Sequence, residues 1–160
     1  MKKVIVIGCP GGGKSTFARA LSEKTGLPLY HLDMIYWNPD KTTVPRDVFD
    51  ARLGEILRRG EWLIDGNYAR TMERRLAAAD TVFFLDMPLE TCLDGIRSRR
   101  GKPRSDMPWT DNENDEEFIS FVRDFEASSK PKILELFEKY PDKNVIVFRD
   151  HNEIDEYLRK

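Results

Sequence analysis

The sequence is poor in the residues that staple small folds or hold structural metals. It has two cysteines, Cys9 and Cys92, and two histidines among 160 residues. That excludes a disulfide framework and fits a reducing compartment. No apolar stretch approaches the roughly 20 residues needed to cross a bilayer. The opening Met1-Lys2-Lys3 followed by Val4–Ile7 looks like the start of a signal peptide, but the apolar run is four residues long and breaks into glycine. A cytoplasmic protein without membrane partners is expected. An excess of one charge is also missing: 26 Lys and Arg stand against 28 Asp and Glu, for a net charge of −2 and a pI near 5.8. This argues against a surface that tracks nucleic acid throughout and leaves room for a local basic patch.

What is present is a globular balance, 40% hydrophobic and 34% charged, in a chain long enough for one full core. No repeat, low-complexity tract or linker divides it, so a single domain over 1–160 is expected. Val4–Ile7 is short, β-branched and ends in glycine, as in a strand buried on both faces. A helical pattern runs from Lys14 to a stop at Gly26, and Leu29–Leu32 reads as a second strand. Phe49, Leu53, Ile56 and Leu57 form a helical stripe closing at Gly60. Trp62–Ile64, Thr81–Leu85 and Val145–Phe148 read as further strands. Helices are expected over Ala69–Ala79, from Leu89 to near Arg97, and over Ile154–Leu158. Thr110 and Glu113 have capping-box spacing for a long helix with Phe118, Phe121, Val122 and Phe125 on its apolar face and a kink or division at Pro131. Alternating strands and helices predict an α/β fold with a parallel sheet covered on both faces.

The strongest signal is Gly8-Cys9-Pro10-Gly11-Gly12-Gly13-Lys14-Ser15, a glycine, four residues, then Gly-Lys-Ser. Glycines let successive backbone N–H groups turn toward phosphate oxygens, and the following helix offers its electropositive N-terminus. A lysine at position 14 can bridge β- and γ-phosphates, and a serine hydroxyl at position 15 can ligate Mg²⁺. Pro10 breaks the G-x-G-x-x-G alternative of dinucleotide folds, and no register from Gly8 or Gly11 completes it. The loop is read as a triphosphate site.

The second strand runs into His31-Leu32-Asp33, with Tyr36 and Trp37 beyond. A carboxylate at that sheet edge could orient or deprotonate an acceptor hydroxyl, or hold a water on magnesium. It could also simply cap a helix. Asp65 ends the third strand as an acidic magnesium-site residue would, and Gly66 leaves room for a substrate near the backbone. Arg70 and Arg75 can clamp an acceptor anion or serve as surface helix charge. Asp86 also ends a strand and is read as a helix cap. Arg97–Arg104 packs five basic residues into eight around a glycine and a proline. That suits a lid neutralising transition-state charge, and equally a solvated turn or a nucleic-acid patch.

Taken together, these residues resemble the adenylate-kinase-like branch of phosphate-loop proteins, in particular small bacterial proteins labelled DNA topology modulation proteins. The resemblance covers essentially the whole chain. It rests on the loop at 8–15, on His31-Leu32-Asp33 with Tyr36-Trp37, on Ile64–Tyr68, on Ala79-Asp80 and on the Arg97–Asp106 segment. It implies a three-layer P-loop fold with a five-stranded parallel sheet in the order 2-3-1-4-5, an acceptor region near 33–60 and a short lid near 97–106. Such kinases carry Asp-Gly-Phe-Pro-Arg where this chain has Asp65-Gly66-Asn67-Tyr68-Ala69-Arg70, which displaces the arginine by one residue. By the same likeness Arg97 and Arg100 contact base and phosphates, Arg149 to Asn152 adjoin the adenine ring, and Arg123 stands where a catalytic arginine often lies.

The expected activity is phosphoryl transfer from Mg²⁺–ATP to a small acceptor. The catalytic candidates are Lys14, Asp33, Arg97, Arg100 and Arg104. The nucleotide candidates are Gly8, Pro10, Gly11, Gly12, Gly13, Lys14, Ser15, Thr16 and Arg149. Asp33, Tyr36, Trp37, Gly66, Asn67, Tyr68, Arg70 and Arg75 are the acceptor candidates, and Ser15 and Asp65 the metal candidates. The other reading is an ATP-binding regulator linked to DNA topology, although the acidic net charge weighs against direct DNA binding. A monomer or weak dimer is expected.

Overall fold

The computed structural model describes residues 1–99, 108 and 116–160. Five strands, β1 (Lys3–Gly8), β2 (Leu29–His31), β3 (Trp62–Asp65), β4 (Thr81–Leu85) and β5 (Asn144–Phe148), form one sheet in the order β2-β3-β1-β4-β5. Every pairing is parallel. The helices between them are α1 (Lys14–Thr25), α2 (Leu32–Tyr36), α3 (Arg46–Leu57), α4 (Ala69–Ala78), α5 (Leu89–Arg99), α6 (Glu116–Lys139) and α7 (His151–Arg159).

The three central strands lack the polar alternation of a one-faced sheet because both of their faces are covered: every residue of β3 and β4 is buried, as is β1 from Val4 on. Neighbouring phenylalanines on β4 show the two layers. Phe83 meets Phe17 of α1 at 4.9 Å between ring centroids and Tyr157 of α7 at 5.3 Å, whereas Phe84 faces Phe137 of α6 at 5.8 Å. Helices α4 and α6 are tied by Glu73, which accepts hydrogen bonds from Lys139 and from the Tyr140 hydroxyl. The sheet order reverses beside β1, so the carboxyl ends of β1, β3 and β4 open a crevice on one edge.

Three expectations change. The second strand stops at His31, and Leu32–Tyr36 is a short helix. As an edge strand β2 has only β3 to pair with, and its register ends at His31 opposite Asp65. Leu32 then turns inward, fully buried over Gly66. In α6 the buried face is Val122, Phe125 and Ile133, while Phe121 is 47% exposed. The helix also continues through Pro131, which therefore does not divide it. Thr110 and Glu113 lie outside the described residues.

Candidate functional site

The glycine-rich loop spans the gap between the end of β1 and the start of α1. Its path is fixed by close approach to α5. A Cβ on Gly11, whose φ is 81°, would lie 2.1 Å from the Cys92 carbonyl oxygen, and one on Gly95 would lie 2.0 Å from the Gly11 carbonyl oxygen. Two bare backbones touch there, and any side chain would push them apart. Within the loop the Gly12 amide donates to the Cys9 carbonyl at 3.1 Å, and Lys14 Nζ donates to the same oxygen at 3.3 Å. His151 of α7, which sequence reasoning noticed only inside the Arg149–Asn152 stretch, sets Nε2 3.3 Å from the Gly12 carbonyl oxygen.

Helix α1 is built to face an anion. Its N-cap is Gly13, which makes no side-chain cap bond, and its first turn, beginning with Lys14, Ser15 and Thr16, holds no acidic residue. The positive end of the helix is thus directed at the loop without a carboxylate to neutralise it. Beneath the loop, hydrogen bonding to Cys92 and then burial push the Cys9 thiol up, so it stays protonated and inert.

The turn after β3 brings the loop and the other half of the site together. Asp65 is 5% exposed and accepts a 2.6 Å hydrogen bond from His31 Nδ1. Gly66 follows with φ 131°, where a Cβ would sit 2.9 Å from the Leu32 Cβ. The Asn67 side chain turns to the loop: its Nδ2 donates to the Gly8 carbonyl at 2.7 Å and its Oδ1 accepts from the Gly8 amide at 3.1 Å. Tyr68, at φ 40°, donates its hydroxyl to Asp33 of α2. Burial first, and then the Asp33 carboxylate, push the Tyr68 phenol up, which keeps it a donor at neutral pH. Tyr36 packs edge to face against the rings of Trp37, Phe49 and Tyr68, with Tyr36 and Tyr68 5.1 Å apart.

The two α4 arginines take different places. Arg70 is partly exposed and forms a two-point pair with Asp50 of α3, at 2.6 and 3.2 Å. Arg75, an acceptor clamp or surface helix charge by its sequence, is 0% exposed and binds backbone instead. Its Nη1 donates to the Gly66 carbonyl at 2.9 Å, and its Nη2 donates to the carbonyls of Asn67 and, at 3.0 Å, of Tyr68. A buried cation needs such partners, and a helix packed over a turn supplies carbonyls rather than solvent. Burial pushes the guanidinium down to about 9, still protonated at neutral pH. Asn67 likewise spends its side-chain amide on backbone, at Gly8.

Arg97 is exposed and 3.4 Å from Asp94, and Arg149 is exposed with its amide bonded to Glu153. Arg123 is also exposed. Asp86 pairs with Lys130 at 2.9 Å. Arg100 and Arg104, with most of the 97–106 segment, lie outside the described residues. Among the described residues no group of three His, Cys, Asp or Glu side chains forms a metal cage. The oxygens of Ser15 and Asp65 suit a hard divalent cation that takes its other ligands from water and phosphate. No described helix is long and apolar enough to cross a membrane.

No family model matches this sequence. The adenylate kinase of Thermotoga neapolitana is 31% identical over 80 residues, which is 50% of this chain and 36% of that protein. That of Thermotoga maritima is 32% identical with the same coverage. The matched stretch is little more than a third of those relatives' length. The crystal structure of shikimate kinase from Bacteroides thetaiotaomicron superposes with a TM-score of 0.59 at 18% identity, covering 98% of this chain and 93% of that one. The chain therefore has the kinase-like P-loop fold and is distantly related to adenylate kinases over half its length.

Proposed function

We propose that the protein is an ATP-dependent kinase of a small acceptor bearing a hydroxyl group. The carrying observation is that an uncapped α1 N-terminus, with no acid in its first turn, opens on the same sheet edge as Asp33 and Asp65. Amides of the loop and of the first turn, with Lys14, hold the phosphates. Pro10 and the glycines give that loop its shape, and Thr16 and Arg149 stand at the nucleotide end. Ser15, and Asp65 through water, are the residues that would hold Mg²⁺. The ion would supply neutralisation of phosphate charge. Tyr68 fixes the Asp33 carboxylate, which orients the acceptor hydroxyl and takes its proton. The acceptor oxygen then bonds to the γ-phosphorus, the bond to the β–γ bridging oxygen breaks, and ADP leaves. Tyr36, Trp37, Gly66 and Arg70 border the acceptor, and Arg97, Arg100 and Arg104 are the candidates for neutralising the transferring group.

The test is ATP consumption with Mg²⁺ against nucleoside monophosphates, nucleosides and small hydroxy acids or sugars. One acceptor should stimulate turnover strongly, and Lys14→Ala should lower that rate on the order of 100-fold or more. A Lys14→Ala protein that keeps its rate overturns the assignment. A uniformly slow rate, together with retention of DNA on a filter at low salt, would favour the ATP-gated regulator.

A further inference from the structure

We propose that Arg75 is the positioning residue of this site, setting the phosphate loop and the acceptor-side carboxylate in register through the single turn Gly66-Asn67-Tyr68. The inference rests on the kinase reading and adds to it a residue that touches neither nucleotide nor acceptor.

Three consecutive carbonyls, of Gly66, Asn67 and Tyr68, converge on one guanidinium, whose Nε adds a 3.4 Å bond to the Thr71 hydroxyl. Successive carbonyls in an extended chain alternate in direction. They face one way here because Gly66 and Tyr68 both take positive φ, 131° and 40°. For Tyr68, a bulky L-residue, that conformation is strained and persists only where surroundings impose it. Arg75 is what imposes it. It is fully buried and within the field of the Asp65 carboxylate, and the turn's carbonyls are the groups it hydrogen-bonds.

The consequences run in two directions from that turn. Asn67 binds both the amide and the carbonyl of Gly8, the first residue of the phosphate loop. Tyr68 binds Asp33. If Arg75 is removed, the Gly66 and Asn67 carbonyls lose their donor, the Tyr68 carbonyl keeps only Thr71, and the turn can relax with Tyr68 moving to negative φ. That swings Asn67 away from Gly8 and the phenol away from Asp33 together. A helix residue with no loop contact thereby controls both ends of the transfer.

The experiment measures ADP binding by calorimetry on the full chain for wild type, Arg75→Met, Asn67→Ala and the double variant, with folded fraction followed by near-ultraviolet circular dichroism. Each single variant is expected to bind ADP about tenfold more weakly, and the double variant no worse than the weaker single, because both changes break one chain of contacts. A merely structural arginine would lower stability without moving the affinity of the folded protein, or would act additively with Asn67. Either result overturns the inference. Should Arg75→Met not fold, Arg75→Lys takes its place: it keeps the charge but cannot span three carbonyls, so weakened ADP binding is expected and wild-type binding overturns the inference. A wild-type chain that binds no ADP overturns the kinase reading and this inference with it. ADP binding that is unaffected at Arg75 overturns the inference alone.

Discussion

The two halves of the proposed kinase site are built on different principles. The proposed nucleotide half is a run of neighbours in sequence, Gly8 to Thr16, and its chemistry would come from backbone amides at the start of one helix. The acceptor half is assembled from side chains that lie far apart: Asp33 on α2, Phe49 on α3, and Tyr68 at the entry to α4. A backbone site needs only permissive residues at the right spacing. A side-chain site needs the whole sheet to bring its parts together. The first should fail abruptly when space is taken from it, and the second should lose function by degrees.

The sharpest way to break the contrast is Gly11→Val. Its side chain would enter the space held by the Cys92 carbonyl, 2.1 Å from the Cβ position, at a φ closed to valine. Destabilisation of about 3 kcal/mol is expected, a drop of about 10 °C in Tm, together with loss of ADP binding by calorimetry. Near-wild-type ADP affinity would show that the loop does not need its contact with α5.

Tyr68→Phe probes the other half and should behave differently. The phenol's bond to Asp33 disappears while the aromatic cluster of Tyr36, Phe49 and the ring at 68 stays packed. Phosphotransfer should fall about tenfold, the equivalent of one hydrogen bond to a charged group, with ADP binding unchanged. An equal loss of ADP affinity would mean that the halves are not separable at this residue.

The smallest effect concerns the strand that carries the loop. Asp80 accepts hydrogen bonds from the Lys2 and Lys3 amides, both at 2.9 Å, and from the Thr81 hydroxyl. Burial opposes its ionisation, but these donors outweigh burial and hold the carboxyl below its ordinary value of 3.8. Its folded pKa is depressed, so its contribution is present above the unfolded value and is lost as pH falls from there through the folded value. Asp80→Asn should therefore lower Tm slightly at pH 7, and the difference from wild type should shrink as pH falls below 3.8 and vanish only beneath the folded value. A gap that persists into acid would place the effect in packing instead.

The sequence by itself determined the fold class and the phosphate loop. Buried β-branched strands alternating with amphipathic helices admit few arrangements, and the Gly8–Ser15 pattern is contiguous in the chain. It also placed Asp33, Asp65 and Tyr68 near the strand ends, because parallel strands expose their carboxyl termini on one edge. It could not decide what the side chains there hold. Asn67 faces Gly8 across 59 positions, His31 faces Asp65 across 34, and Arg75 turns inward while Arg70 turns outward to Asp50. Helical spacing puts residues 70 and 75 on different faces of α4, yet which face is buried depends on how α4 lies against β1. Only tertiary packing decides that, since burying a guanidinium costs more than any local propensity can repay unless carbonyls are already in place to receive it.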